Sequence, residues 1–154
     1  AREAKEQGKG NKGIFVGAAI ELADGTIIKG KNSPLLHSSS SLILNAIKSL
    51  AGVPDTIHLL ARNVINSIRS FKNTILNAEH VSLSLEETLI ALSISATTNP
   101  SAQVAMNQLS YLRGREVHIT HIPSLGDEVG WRKLGVHLTS DPNFASKKLF
   151  NNWN

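Results

Sequence analysis

Four consecutive serines, Ser38 to Ser41, are the residues of this 154-residue chain whose type and spacing best suit chemistry. They follow a predicted β-hairpin and open a predicted helix, whose first turn presents backbone N–H groups without intrahelical partners. Those N–H groups, the serine hydroxyls and the helix dipole together favour a bound anion. The predicted anion or phosphate site consists of Lys31, His37, Ser38, Ser39, Ser40 and Ser41. The alternative is that one serine caps the helix and the others only solvate its first turn.

A second set of polar residues, Thr98, Asn99 and His121, is predicted to line a pocket. Thr98 and Asn99 interrupt an apolar helical run, although Asn99 before Pro100 is equally the pattern of a simple N-cap. His121 ends a predicted strand, and ligands of open α/β sheets bind beyond the carboxyl ends of the strands. His118 and His121 are three positions apart on that strand and therefore point to opposite faces, so no shared metal is expected.

The composition bounds the chemistry and the partners. The chain has no cysteine, which excludes disulfides, thiolate nucleophiles and cysteine-based zinc sites and fits a cytoplasmic location. The net charge of +4 comes from scattered basic residues, so no nucleic-acid partner is expected. No apolar run reaches the length of a membrane span, and no membrane partner, metal or cofactor is predicted.

The predicted elements form one α/β domain over residues 13–142, preceded by a linker or helix end at 1–12 and followed by a tail at 143–154. Residues 14–22 and 26–30 make an antiparallel hairpin, because Asp24-Gly25 is a strong turn signal. Three further strands are expected at 56–60, 116–122 and 135–139; helices separate them, which implies parallel pairing. The result is a three-layer sandwich around a mixed five-stranded sheet.

Two helix starts have capping signatures, Ser84 with Glu87 and Ser124 with Asp127. The helix after Ser84 is apolar on several sides and is predicted to be central and buried. The apolar helices between residues 85 and 109 exceed what a small sheet covers, which predicts a homo-oligomer.

Three long segments carry a resemblance to a known family: AIELADGTIIKG at residues 19–30, LIALSISA at 89–96 with TNP at 98–100, and LGVHLT at 134–139. They resemble the C-terminal part of a bacterial family catalogued as domain of unknown function 1846. The resemblance implies a partner, the protein's own N-terminal part, which in that family resembles a Rossmann fold with a glycine-rich loop. It implies no activity, and His37 stands where the family usually has a small residue.

The order of elements is also similar to the cytidine-deaminase-like sandwich. A zinc deaminase needs His or Cys with Glu at the first helix start and Pro-Cys-x-x-Cys at the next. This chain has His37-Ser-Ser at the first position and Leu60-Ala-Arg-Asn at the second. The expectation is therefore a deaminase-like topology without the zinc site.

These observations predict a non-metal assembly or small-molecule (anion or phosphate) binding module of a larger bacterial protein. The alternative is a transferase or hydrolase that acts on a phosphorylated or anionic small molecule bound at the helix start of residues 38–41.

Overall fold

A computed structural model describes Asn11 and residues 13–144. The predicted linker at 1–12 and the predicted tail at 143–154 lie outside the described residues, apart from positions 11, 143 and 144.

The predicted hairpin is confirmed. Strand β1 (Gly17–Glu21) pairs antiparallel with β2 (Ile27–Lys31). In the turn, Gly25 adopts a positive φ of 85°, which costs a glycine little. The carboxylate of Asp24 accepts a hydrogen bond from the Thr26 N–H at 3.0 Å, and this bond lowers the pKa of Asp24.

One mixed sheet has the strand order β2-β1-β3-β4 within the described residues. Strand β3 (Glu116–Ile119) lies antiparallel to β1 and parallel to β4 (His137–Ser140). The α/β class and the mixed sheet are therefore confirmed, but the described residues form four strands and not five.

The prediction of a strand at residues 56–60 was wrong. Ile57 N–H donates to the Pro54 carbonyl at 3.0 Å, so a local turn uses a group that a sheet would need. Leu59 and Leu60 are buried by packing and not by strand pairing. With this strand absent, β3 and β4 are the one parallel pair of strands in the described part of the chain, besides an isolated parallel bridge between Leu36 and Leu83. The deaminase-like topology is not confirmed.

Five helices occur in the described residues, together with a 3₁₀ turn at Leu109–Leu112. The helices are α1 (Ser38–Ala51), α2 (Arg62–Thr74), α3 (Leu85–Ser95), α4 (Pro100–Met106) and α5 (Leu125–Leu134). In the described part of the chain, every helix is too short or too polar to cross a bilayer.

The two predicted capping signatures are both present. Ser84 and Glu87 form a reciprocal capping box at the start of α3. Ser124 accepts a hydrogen bond from the Asp127 N–H at the start of α5. These local side-chain bonds satisfy N–H groups that the helices themselves leave free.

Helix α3 is buried on one side only, so the prediction that this helix is central and buried was wrong. Leu85, Ala91 and Leu92 are fully buried, but Ile90 is 54% and Ile94 is 48% exposed. The predicted homo-oligomer stays a prediction.

The described helices cover one face of the sheet. Ala18 and Ile20 of β1 and Val117 and Ile119 of β3 point to that face and are buried. The alternate residues of β3 and β4 are exposed on the opposite face: Glu116, His118, His137 and Thr139. The described residues thus form two layers, whereas three were predicted.

Helix α1 approaches the sheet closely at Gly30. A Cβ atom at Gly30 would overlap the backbone of Ser38 and of Leu42. The absent side chain therefore fixes how deeply the first two turns of α1 sit on β2.

We expect Gly30→Ala to destabilise the chain by about 2 kcal/mol or more, because helix α1 must move away from the sheet. The midpoint of urea unfolding measures this loss. The matched control is Ser49→Ala, at an exposed position of α1. This change should alter the free energy of unfolding by less than about 0.5 kcal/mol and leave the midpoint near that of the wild type. Equal midpoints for the two variants would contradict the close approach.

Candidate anion-binding site at three helix starts

The four serines do open a helix, as predicted. The N-cap position is taken by His37, whose backbone is extended and whose side chain makes no cap hydrogen bond. Ser38 is the first residue of α1. The alternative in which a serine is the N-cap is therefore wrong.

Two of the four serines bind other parts of the protein. The Ser39 hydroxyl accepts a hydrogen bond of 2.9 Å from the indole N–H of Trp131, and both residues are completely buried. The Ser40 hydroxyl donates to the carbonyl of Leu83 at 2.9 Å. These bonds hold α1 against α5 and against the segment that precedes α3, so these two hydroxyls are already used.

Ser38 differs from these two. The residue is only 4% exposed, and its hydroxyl makes no hydrogen bond to any residue that the structure describes. It lies in the wall of a cavity of about 430 Å³. The hydroxyl oxygen itself is accessible from this cavity, so water or a bound ligand can form a hydrogen bond with it.

This cavity, which we call the helix-start cavity, lies where three helices begin. Its wall includes His37 and Ser38 from α1, Ser84 before α3, and residues 124–127 from α5. The N-terminal end of each helix carries a partial positive charge that favours an anion, and acidic side chains in the first turns of α3 and α5 offset part of it.

His37 is held in this wall by Asp127. The imidazole Nδ1 lies 2.9 Å from Asp127 Oδ2, and the second carboxylate oxygen accepts the Leu85 N–H at 2.8 Å. Asp127 is 6% exposed, so both charged oxygens are buried and satisfied. Because a carboxylate only accepts, Nδ1 of His37 carries the proton. The other ring nitrogen, Nε2, makes no hydrogen bond within the described residues.

Asp127 belongs to this candidate site although the sequence did not predict it there. The capping signature assigned it only a backbone role at the start of α5, and that role is present. Its carboxylate reaches a histidine 90 positions away, a pairing for which the sequence holds no local signal.

His121 lies in the wall of the same cavity as His37 and Ser38. Its Nδ1 is 2.7 Å from the Thr120 hydroxyl. Partial burial lowers the pKa of His121 below its ordinary value of 6.5, so the ring is neutral at pH 7. At neutral pH it can offer a hydrogen bond but no charge.

Two further basic side chains contribute to the wall, His80 and Lys72. The Lys72 ammonium donates to Glu87 Oε1 and to the Ser82 carbonyl, both at 2.8 Å. Its charge is therefore already balanced by a carboxylate.

The structure does not bring the other predicted site residues into this cavity. Lys31 and Ser41 line a second cavity of about 700 Å³. Asn32 and Ser33 contribute to the walls of both cavities.

Thr98 and Asn99 also lie outside the helix-start cavity. Thr98 is exposed, and the Asn99 side chain accepts the N–H groups of Ser101 and Ala102 as the N-cap of α4. The simple capping interpretation of Asn99 is thus present. Among the described residues, no three His, Asp or Glu side chains lie close enough together to hold a metal ion.

We expect Asp127→Asn to disturb the proton position on His37, since an amide can donate to Nδ1 where the carboxylate only accepted. Ring-nitrogen NMR shifts should show an Nδ1–H tautomer in the wild type and a mixture or the opposite tautomer in the variant. The exposed turn residue offers a matched control, Asp24→Asn. A wild-type ring protonated only at Nε2 would contradict the assigned geometry.

Comparison with known proteins places the chain in a family. The model of "Domain of unknown function DUF1846, C-terminal" matches residues 1–150. A UPF0371 protein of Corynebacterium diphtheriae is 50% identical over 134 residues, which are 87% of this chain and 27% of that protein. A UPF0371 protein of Clostridium botulinum (strain Alaska E43 / Type E3) is 47% identical with the same coverage. A UPF0371 protein of Clostridium tetani is 43% identical over 155 residues, 99% of this chain and 31% of that protein.

The chain thus spans less than a third of the length of these relatives. The match to the family model covers nearly the whole chain, and it confirms the resemblance that the three long sequence segments indicated. The chain therefore belongs to the family of the domain of unknown function DUF1846 and corresponds to its C-terminal domain.

Proposed function

We propose that this domain is a binding module for a small anionic molecule, and that the ligand occupies the helix-start cavity. The observation that carries the proposal is the accessible Ser38 hydroxyl, which has no partner among the described residues, in a cavity whose wall includes residues from three helix starts. With the proton on Nδ1, His37 Nε2 accepts a hydrogen bond from a ligand hydroxyl, and it donates one to an anion only when both ring nitrogens are protonated. This arrangement narrows the predicted site, because Ser39 and Ser40 are engaged with protein groups.

The charge distribution defines where the anionic group would bind. Asp127 is the acidic residue in the cavity wall, and its two oxygens face His37 and the Leu85 N–H. An anion is therefore expected on the Ser38 and His121 side of His37, away from the carboxylate. Ile14, Val16 and other apolar residues complete the wall. The cavity volume of about 430 Å³ suits a small organic phosphate or carboxylate.

The first experiment measures stabilisation by anions. Inorganic phosphate, sulfate and phenyl phosphate at millimolar concentration should each raise the melting temperature of the wild-type chain, because they bind only the folded state. Ser38→Ala should weaken binding about fivefold, the value of one hydrogen bond. Ser93→Ala is the matched control, since this exposed helical serine bonds only its own helix at Ile90.

Backbone NMR provides the same test without a variant. The amide signals of Ser38, Leu85 and Gly126 should shift as phosphate is added. No stabilisation by any of the three anions, or equal binding by the wild type and Ser38→Ala, would overturn the proposal.

The pH dependence of sulfate binding follows from His121. The charge of sulfate is constant between pH 5 and 8, whereas His121 gains a proton as the pH falls, at a lower pH than an ordinary histidine because burial lowers its pKa. Sulfate should therefore bind more tightly at about pH 5 than at pH 7.5. His121→Gln should reduce this difference, and an unchanged difference in that variant would exclude His121 as its source.

The second candidate function is catalysis on the same kind of ligand, by a transferase or a hydrolase. The pair of His37 and Asp127 favours it, because an imidazole oriented by a buried carboxylate is a general base. His37 Nε2 would accept the proton of an attacking hydroxyl or water, and Asp127 would stabilise the imidazolium that forms.

Phosphate release from a panel of phosphate esters tests this function. Release should fall at least about 100-fold in Asp127→Asn, and release that is unaffected by this change would exclude the dyad.

The setting of the module in its larger protein is also proposed. In the longer relatives, the region outside this domain would provide nucleotide binding or the chemical step, and this domain would provide the anion site. The exposed side chains of Ile90, Ile94 and Val104 mark the helical face on which the predicted homo-oligomer should be tested. The cytoplasmic location remains part of this proposal.

A further inference from the structure

A second cavity lies beside α1 and shares Asn32 and Ser33 with the helix-start cavity. Its volume is about 700 Å³, and we call it the lysine cavity after Lys29, Lys31 and Lys48 in its wall. No aspartate or glutamate is among the residues that line it. Three cationic side chains around one opening give a local field that attracts anions.

Lys29 and Lys31 already have interaction partners, so Lys48 is the cation in this wall on which anion binding would depend. Lys48 is only 9% exposed, and its ammonium donates a hydrogen bond to the Asp55 carbonyl at 3.2 Å. Within the described residues, no carboxylate lies at ion-pair distance from it. Burial lowers the pKa of Lys48, and the more distant charge of Asp55 opposes this effect only in part. A buried cation without a counter-ion is costly, and a bound anion would offset that cost.

One face of α1 carries a row of polar side chains that line the lysine cavity. Ser41, Asn45 and Lys48 are spaced by four and three positions, which places them on one face of α1, and all three line the lysine cavity. The remainder of the wall is largely aliphatic and includes Leu44, Leu60 and Ile65. The cavity therefore combines a cationic edge with an apolar floor.

We propose that the lysine cavity binds an organic anion with an apolar body, whose negatively charged group lies against Lys48 and whose body lies on the aliphatic floor. This site is separate from the helix-start cavity and does not depend on the function proposed for it. The cavity volume is within the range of pockets that take drug-sized or cofactor-sized molecules.

The test is an NMR titration of the chain with three probes. Phenyl phosphate has a negative charge and an apolar ring, inorganic phosphate has only the charge, and benzyl alcohol has only the ring. Phenyl phosphate should shift the amide signals of Asn45, Lys48 and Leu60 and should bind there at least about tenfold more tightly than either single-feature probe. Shifts confined to Ser38, Leu85 and Asp127 would overturn the proposal, as would equal binding of all three probes.

A charge-removing variant tests the role of Lys48. Lys48→Met keeps the aliphatic stem, so the free chain should melt at the wild-type temperature or higher, while its affinity for phenyl phosphate at this cavity falls at least about tenfold. Lys133→Met is the matched control, because the side chain of Lys133 is 73% exposed on α5. Wild-type affinity in Lys48→Met would refute the assignment. If Lys48→Met does not fold, the wild-type titration alone decides.

A final measurement distinguishes binding at the lysine cavity from the anion binding proposed for the helix-start cavity. In Ser38→Ala, the phenyl phosphate shifts at Asn45 and Lys48 should persist even if the helix-start cavity no longer binds anions. Loss of both sets of shifts in that variant would show a single site and would reject the lysine cavity as a separate one.

Discussion

The seating of α1 on the sheet is the constraint on which the rest of the structure depends. Gly30 lets the helix backbone come close to β2, and no larger residue fits there without moving the helix. At the same depth, Ser39 meets Trp131 and Ser40 meets Leu83. The first turn of α1 is thus held from below by the sheet and from the side by α5 and the segment before α3. Both cavities take their shape from this placement.

Asp127 joins the three helix starts into one polar junction. Its backbone N–H is used within α5, one carboxylate oxygen receives the first N–H of α3, and the other orients His37 before α1. A single buried carboxylate thus satisfies groups from three elements, and its own charge is balanced by their donors. The histidine gains a fixed orientation at the cavity wall as a result of packing that also stabilises the fold.

The parts of this structure that could be predicted are those with local causes. The Asp24-Gly25 turn, the Ser84 and Glu87 capping box and the Asn99 cap each depend on residues within a few positions, and all are present. The family was also evident, since long segments carry it. Residues 56–60 show the limit, because a run of apolar residues gives the same pattern whether it pairs in a sheet or packs after a turn.

The arrangement of the candidate site depends on distant contacts and could not be predicted in the same way. The four serines look equivalent in the sequence, yet they meet different environments in the fold. Ser39 contacts Trp131, 92 positions away, and Ser40 contacts Leu83, 43 positions away. The helical period places successive residues on different sides of a helix, but it does not say what each side contacts. Which direction leads to a cavity is decided by tertiary packing.

The long sequence separations in the helix-start cavity have a consequence for how the chain folds. Ser39 with Trp131 and His37 with Asp127 close loops of about 90 residues, and such closures are entropically expensive until many other contacts have formed. We therefore expect these contacts to form late in folding, after the local hairpin and helix contacts. A nascent chain that has not yet produced α5 lacks the wall that residues 124–127 provide, so this cavity exists only once nearly all of the described chain has been made.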